Sequence, residues 1–170
     1  KAKCINFGNS AFHPFNTEPD MFMTVNENWK SFDDYMNALS SKYRVRTKKV
    51  LTTSTEIIQK EFSIEDIKQH KEALSNLYNN VVNHVAFNMA TLNIDFFEEM
   101  KLLYGDKCSI LGYYLKDELV SFACLFHEDI TTLHVHYIGL NYDINKEYKL
   151  YNRMLLDFVK FAIEKEKRNI

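Results

Sequence analysis

The stretch that decides the fold runs from Cys108 to Ile163. It contains four segments: CSILGYYL (108–115), ELVSFACLF (118–126), TTLHVHYIGL (131–140) and KLYNRMLLDFVKFAI (149–163). The first three are rich in β-branched and aromatic residues and are separated by the polar pairs Lys116-Asp117 and Glu128-Asp129. This pattern predicts three antiparallel strands, 109–115, 118–127 and 132–140, joined by tight turns. The fourth segment has apolar residues around much of a helical circumference and predicts a long, packed helix.

The middle strand is apolar on both of its alternating faces. Strict alternation places three of its residues on one face (Leu119, Ala123, Leu125) and three on the other (Val120, Phe122, Phe126). A strand of this kind lies in the centre of a sheet that is covered on both sides.

Upstream of these strands, the pattern predicts mostly helices. Ser31 can cap a helix that runs through FDDYMNALSSKYRVRTKKV (32–50). A short β-like run follows at 56–62. Ser63 and Asp66 then form a capping-box pattern at the start of a helical segment, 63–85. A shorter helix, 94–104, ends at Gly105. Phe, Tyr and Met side chains outside the candidate site are expected to belong to the core.

The size and composition fit one globular domain. The chain has 170 residues, 46% of them apolar, and a net charge of −2 that gives no general reason to expect nucleic acid. Three cysteines without CxxC spacing favour free thiols in the cytoplasm. No apolar run approaches the roughly 20 residues of a membrane span. We expect residues 1–28 to be irregular, with short apolar runs at 4–7 and 21–25. Because the chain begins at Lys1, we also expect it to be a fragment of a longer protein.

The layout resembles the acyl-CoA N-acyltransferase (GNAT) superfamily, and within it the FemABX or peptidoglycan-related branch. The resemblance is carried by SFDDYMNALSSKYRVRTKK (31–49), ILGYYLKDELVSFACLF (110–126) and YIGLNYDINKEYKLYNRMLLDFVKFAIEK (137–165). It implies an α+β, GNAT-like fold: a central, mostly antiparallel sheet flanked by helices, in the order β-α-α-β-β-β-α. It also implies a domain at 29–170 that lacks the family's final strands.

The resemblance further implies an acetyl-CoA or other acyl-CoA donor along the strand that ends in Ile138, Gly139 and Leu140. We expect no metal, because a pair of histidines alone is a weak metal signal. Members of the family usually carry a glycine-rich turn before the last helix, whose backbone N–H groups bind pyrophosphate. The corresponding turn here, 141–152, contains no glycine. Lys146 and Lys149, placed before the N-terminus of the last helix, can supply positive charge instead. Hydrogen bonds can come from further polar residues of the turn (Tyr148, Tyr151, Asn152).

His134 and His136 are two residues apart on a predicted strand, so they are expected on one face. A metal site would need a third ligand, such as His127 or Cys124 on the neighbouring strand. A general base for an amine acceptor is a second interpretation, because the imidazole of histidine titrates near neutral pH. A partly buried, hydrogen-bonded structural pair is a third.

Two further positions have both a functional and a structural interpretation. Glu128 lies at the end of the middle strand, where GNAT enzymes often place a carboxylate base; it also suits a solvated hairpin turn. Gly139 can leave room for a ligand near the backbone, or mark a β-bulge.

A basic run lies near the predicted end of the first helix. It could hold an anionic ligand such as a tRNA phosphate, or it could complement the helix dipole (Lys42, Arg44, Arg46, Lys48, Lys49).

Three functions follow from the resemblance. The leading one is an N-acyltransferase that moves an acyl group from a CoA thioester to a small-molecule amine. Its candidate catalytic residues are His136, Glu128 and His134. The second is a Fem-like transferase of cell-wall synthesis that uses aminoacyl-tRNA. The third is a non-catalytic GNAT-like binding module.

Overall fold

The computed structural model describes residues 21–86, 88 and 90–170. Its helices are α1 (Phe32–Ala38), α2 (Ser41–Thr53), α3 (Ile64–Gln69), α4 (Lys71–Val82), α5 (Phe96–Tyr104), α6 (Tyr142–Tyr148) and α7 (Leu150–Glu164). Its strands are β1 (Ile58–Glu61), β2 (Cys108–Leu115), β3 (Glu118–His127) and β4 (Leu133–Leu140). A 3₁₀ turn, Gly105–Lys107, joins α5 to β2.

The four strands form one antiparallel sheet in the order β1-β2-β3-β4. The predicted meander of three strands is therefore confirmed, and β3 lies in its centre. The β2–β3 hairpin turns at Lys116 and Asp117, which both have positive φ, 49° and 68°. Two consecutive residues with positive φ give a turn whose twist matches that of the strands, although neither residue is glycine.

Two β-bulges change which side chains share a face. In β3, Ser121 lies opposite Tyr113 and Leu119 lies opposite Tyr114, so Val120 is the extra residue. The expected grouping of the middle strand is therefore wrong at its first two positions. Leu119 packs with Phe122 and Phe126, and Val120 packs with Ala123 and Leu125, because the bulge reverses the alternation between them.

The sheet is covered on both faces, as the doubly apolar β3 predicted. One face packs against α7, with α1 and α2 outside it; the core there includes Leu111, Leu125 and Met154. The other face packs against α3, α4 and α5 around Phe62, Phe97 and Phe122. We call these the α7 face and the α4–α5 face of the sheet.

The helix predicted from Ser31 through residue 50 is two helices. Ser31 caps α1 in a capping box with Asp34, but the chain is extended at Leu39. The second helix, α2, then continues to Thr53. The guanidinium of Arg44 donates to the carbonyl oxygens of Met36, Asn37 and Leu39 at 2.9–3.1 Å, which satisfies the end of α1.

The segment predicted as helical from Ser63 to Val85 is also divided, because α3 ends and α4 begins at His70. The predicted capping box of Ser63 and Asp66 is present. Gly105 ends α5 as expected, with φ of 53°, a conformation that glycine adopts at little cost.

The connection from β4 to the last helix contains a helix that the sequence did not predict, α6. The Asn141 side chain accepts from the backbone N–H groups of Asp143 and Ile144 and caps it. Lys149, with φ of 53° and ψ of 39°, separates α6 from α7.

Residues Met23–Val25 pair antiparallel with Arg168–Ile170, which in turn approach the start of β4: Leu133 N donates to Asn169 O at 2.9 Å. The apolar run 21–25 is therefore strand-like and Val25 is buried. The run 4–7 lies outside the described residues. The boundary at 28/29 and the absence of later strands stay predictions. Among the described residues, no helix is long and apolar enough to cross a bilayer.

Candidate active site

A shallow, solvent-open cleft of about 430 Å³ lies on the α4–α5 face of the sheet. Its walls come from α5 and from the ends of β3 and β4 that lie beside it. The lining residues are Phe96, Met100, Tyr104, Phe126, Glu128, His134, His136 and Tyr137. All three candidate catalytic residues predicted from the sequence, two histidines and one glutamate, therefore lie in one cleft.

A β-bulge in β4 shapes the floor of this cleft. Tyr137 lies opposite Cys124 and Val135 lies opposite Leu125, so His136 is the extra residue of the bulge. Because of it, His136 and Tyr137 line the cleft together, although they are adjacent in sequence. Val135 and Ile138 pack on the α7 face. Bulges occur often beside active sites, where they re-aim a side chain.

The two histidines lie close together on one wall, as the spacing predicted. Their ring centroids are 5.8 Å apart and their planes are inclined by 30°. The His136 ring also meets the Tyr137 ring edge-on, with centroids 4.3 Å apart, and lies 6.2 Å from Phe126. Glu128 follows the last residue of β3 and lines the same cleft. The cleft thus combines one carboxylate with two imidazoles among aromatic rings.

The aromatic walls of the cleft were missed by sequence reasoning, which assigned such side chains to the core. Phe96, Met100 and Tyr104 follow one another at intervals of four along α5, so they form one stripe. All three are only partly buried. Tyr137 is half-buried, and burial is the main cause that raises the pKa of its phenol, so its hydroxyl is protonated at neutral pH.

The candidate donor-binding residues at the end of β4 do not line this cleft. A side chain at Gly139 would overlap the Phe122 ring and Leu77, so these two residues occupy the space that the glycine leaves. On this face the space is filled by the protein itself, and a role of Gly139 beside a bound donor stays a prediction. The second interpretation was that Gly139 marks a β-bulge, but the bulge in β4 lies at His136.

In the residues that the structure describes, no strand pairs with the outer edge of β4 beyond its first residues. Asn141 N donates to the Val120 carbonyl, so by alternation the backbone groups of Ile138 and Leu140 face away from β3. The Leu140 carbonyl accepts from the Asn80 side chain at 3.4 Å. Within the described part of the chain, β4 is the last strand of the sheet.

The turn candidates for phosphate binding gather around the junction of α6 and α7. Lys146, Tyr151 and Asn152 are exposed there and Lys149 is half-buried. We expected Lys146 in an irregular turn just before the last helix. It lies instead in the last turn of α6, a helix that the sequence did not predict. The Tyr151 N–H is held by the Asn145 side chain at 2.8 Å. One backbone N–H group in the first turn of α7 is therefore already hydrogen-bonded within the protein.

The proposed third metal ligands are not near both histidines. His127 lies on the α7 face, beside Phe161, and its ring nitrogen is 3.2 Å from the Ser109 hydroxyl. Burial lowers the pKa of His127. Cys124 packs in the α4–α5 core, 3.8 Å from the Cys108 sulfur. In residues 21–86, 88 and 90–170, no group of three potential ligands could hold a metal ion.

The basic run lies along the body of α2, not at the end of a helix, because α2 continues to Thr53. Arg44 is held by the carbonyl oxygens at the end of α1. The four others are exposed (Lys42, Arg46, Lys48, Lys49). The run therefore does not complement the end of its own helix.

No protein-family model matches the sequence, and no curated protein has significant sequence similarity to it. Solved structures with the same fold exist. One is the C-terminal domain (DUF2156) assigned to a lysylphosphatidylglycerol synthetase of Agrobacterium fabrum, with a TM-score of 0.56 and 10% identity; the match covers 79% of this chain and 42% of that one. Another is a conserved protein of unknown function from Bacteroides thetaiotaomicron, with a TM-score of 0.52 and 13% identity over 86% of this chain and 52% of that one.

An acetyltransferase from Streptococcus agalactiae is similar over 66% of this chain and 69% of its own, with a TM-score of 0.48 and 15% identity. At such identities the likeness concerns the fold. The expected α+β fold, a central antiparallel sheet flanked by helices, is confirmed, whereas the likenesses do not support the FemABX branch in particular. The chain spans about half the length of the two structures that it resembles more strongly.

Proposed function

We propose that this protein is an N-acyltransferase that moves an acyl group from a CoA thioester to an amine. The observation that carries the proposal is the gathering of His134, His136 and Glu128 in one cleft. The two histidines lie on β4, whose outer edge pairs with no further strand among the described residues. The GNAT-like fold supports the same reaction class. The amine nitrogen attacks the thioester carbonyl carbon, the carbon–sulfur bond breaks, and the CoA thiolate leaves.

The donor binds along the outer edge of β4 in this proposal. The N–H and carbonyl groups of Ile138 and the N–H group of Leu140 face outward there, so they can pair with the amide groups of an extended donor. The same row of N–H groups can stabilise the oxyanion that develops on the thioester carbonyl. Gly139, between them, contributes close packing against Phe122.

His136 is the proposed general base. Its imidazole accepts the proton that the amine loses during attack. The imidazole lines the cleft beside His134 and at the β-bulge. Glu128 attracts the positively charged amine and orients it, and His134 lies beside His136 on the same wall. Positioning of the two reactants supplies much of the rate enhancement, because it turns a bimolecular reaction into an effectively unimolecular one.

The phosphates of the donor lie near the junction of α6 and α7 in this proposal. Lys146 and Lys149 provide positive charge, and Tyr151 and Asn152 provide hydrogen bonds. Two free thiols, Cys108 and Cys124, suit the reducing cytoplasm as the place of reaction.

The proposal is tested by two measurements on one preparation. Titration with acetyl-CoA should shift the backbone amide resonances of 138–140, and incubation with acetyl-CoA and an amine panel should release free CoA thiol in step with the acylated amine. Titration with CoA lacking the acyl group is the control for phosphate contacts. Absence of both binding and turnover, with every amine tested, would overturn the proposal and favour a non-catalytic module.

A second candidate, a Fem-like transferase that takes its acyl group from aminoacyl-tRNA, is favoured by one observation. The exposed cations of α2 form a row that can contact phosphates (Lys42, Arg46, Lys48, Lys49). This candidate predicts binding of tRNA with a steep salt dependence, and loss of that binding when Lys48 and Lys49 are replaced by Ala. Measured tRNA binding that is no tighter than that of a polyanion such as heparin would exclude it.

A further inference from the structure

We infer that the acceptor is a monoamine carried on a hydrophobic body, such as an arylalkylamine or an alkylamine, and not a polyamine or a polyhydroxylated amine. The inference rests on the proposed function and deepens it, because it names the class of molecule that the cleft accepts. It follows from the composition of the cleft walls, their charge and their size.

The walls of the cleft are predominantly apolar. One side is the α5 stripe of Phe96, Met100 and Tyr104, and the other includes Phe126 and Tyr137. Aromatic rings and a thioether bind hydrocarbon and aromatic surface well, and methionine adapts to irregular shapes. A polyhydroxylated acceptor would leave most of its hydroxyl groups without hydrogen-bond partners, because these walls offer only the hydroxyls of Tyr104 and Tyr137.

Besides the hydroxyl groups of Tyr104 and Tyr137, the polar side chains that line the cleft are Glu128, His134 and His136. Glu128 is the single carboxylate among the residues that line it in the described part of the chain. One carboxylate matches one ammonium group, whereas a polyamine would bring further positive charges against apolar walls. The arrangement therefore fits one nitrogen at the polar end and a hydrophobic body along α5.

The size and openness of the cleft suit a small molecule. About 430 Å³ lies in the lower part of the usual range for small-molecule sites, roughly 300–1,000 Å³. Tyr104, at the end of the α5 stripe, is 46% exposed, so the cleft opens to solvent there. The hydrophobic acyl chain of a donor could bind the same walls. We assign them to the acceptor because the candidate base lies among them.

The test is a two-way panel of donors and acceptors. Acetyl-, hexanoyl- and decanoyl-CoA are each combined with phenethylamine, hexylamine, ethanolamine, spermidine and kanamycin. We expect kcat/KM for phenethylamine and hexylamine to exceed that for ethanolamine at least tenfold with every donor. Preference for spermidine or kanamycin would overturn the inference while leaving the acyltransferase function standing. A rate that follows acyl length and ignores the amine body would also overturn it.

A matched pair of variants locates the effect in the cleft. Tyr104→Lys places a positive charge on the wall, and Leu103→Lys places the same charge one residue away, on a side chain that is 71% exposed and does not line the cleft. We expect Tyr104→Lys to lower kcat/KM for phenethylamine at least tenfold and Leu103→Lys to change it less than twofold. Equal effects of the two variants would contradict the inference.

Binding of phenethylamine alone separates this inference from the proposed function. Titration followed by NMR should shift the resonances of Phe126 and of 134–137 in the wild type, and these shifts should weaken in Tyr104→Lys. This result is independent of turnover, so it stands if no acyl transfer is found. Shifts absent from these residues at millimolar phenethylamine would overturn the inference even if other amines are acylated.

Discussion

The imidazole of His136 lies 5.8 Å from that of His134, on the same wall of the cleft, because residues two apart on a strand project from the same face. A β-bulge at His136 adds Tyr137 to this wall, so His134, His136 and Tyr137 all line the same cleft. A change that restores regular alternation should turn Tyr137 away from the cleft, while His134 and His136 stay on one face.

The packing of β3 predicts a large loss of stability on truncation of Phe122. Its ring is fully buried, 4.8 Å from the Phe97 ring, and occupies the space above Gly139. Phe122→Ala should lower the free energy of unfolding by about 3–5 kcal/mol, because it leaves a cavity. Chemical denaturation measures this, with the exposed Leu103→Ala as control. A loss below about 1 kcal/mol would mean that Phe122 does not fill the core.

The capping box of α3 predicts a pH-dependent contribution to stability. A hydrogen bond from Lys60 at 2.6 Å, and then one from the Ser63 backbone, lower the pKa of Asp66 from 3.8 to about 2. A carboxyl group with a lowered pKa stabilises the fold above the unfolded pKa and loses this effect as pH falls through the folded one. Asp66→Ala should therefore cost about 1 kcal/mol at pH 7, and the difference from the wild type should shrink as pH approaches 2.

The control for this prediction is Glu65→Ala, an exposed carboxylate in the same helical turn. We expect its effect to stay below about 0.5 kcal/mol. A loss in Asp66→Ala that is constant between pH 7 and pH 2 would show that the charge of Asp66 is not what stabilises the start of α3.

The conformation of Lys149 predicts that glycine is tolerated or favoured there. Lys149 is left-handed, with φ of 53°, which costs a residue with a Cβ about 1–2 kcal/mol. Glycine avoids this cost but loses about 0.5–1 kcal/mol in unfolded-chain entropy. Lys149→Gly should therefore leave stability unchanged or raise it by up to about 1.5 kcal/mol. Lys146→Gly, inside α6, should instead lower it by about 0.5–1 kcal/mol. Thermal denaturation that ranks the two variants in the opposite order would contradict this account.

The proposed phosphate contacts predict a salt-dependent loss of donor binding. Replacing Lys146 and Lys149 together by Ala should raise the Kd for CoA most strongly at low salt, because exposed charges are screened as ionic strength rises. The control is the double replacement of Lys42 and Lys49 by Ala on α2, which makes the same change in net charge. Calorimetry that finds equal effects of the two double variants would remove Lys146 and Lys149 from the donor site.

Much of the fold follows from local sequence signals. Strand alternation, the polar pair Lys116-Asp117 and the capping residues Ser31 and Ser63 predicted the meander and two helix starts correctly. The two bulges were not predictable, because register depends on how both faces of the sheet pack and not on the strand alone. The breaks at Leu39 and His70 were missed because neither glycine nor proline marks them.

The candidate site was predicted in part, for a related reason. His134, His136 and Glu128 could be chosen by their chemistry and by their positions on predicted strands. The α5 stripe of Phe96, Met100 and Tyr104 has the spacing of any buried helix face. Whether such a stripe is covered depends on neighbouring elements, which the sequence does not show. The roles of the donor-binding residues stay predictions.

The central claim is that His136 takes the proton of the amine, and one variant tests it directly. His136→Ala should lower kcat for acyl transfer by about 10²–10⁴-fold, while the Kd for the acyl-CoA donor and the melting temperature change little. His70→Ala, which removes a half-buried histidine bonded to Tyr114 outside the cleft, is the control and should keep its kcat. A His136→Ala protein with wild-type kcat and a lowered melting temperature would contradict the claim, because only a structural histidine behaves in this way.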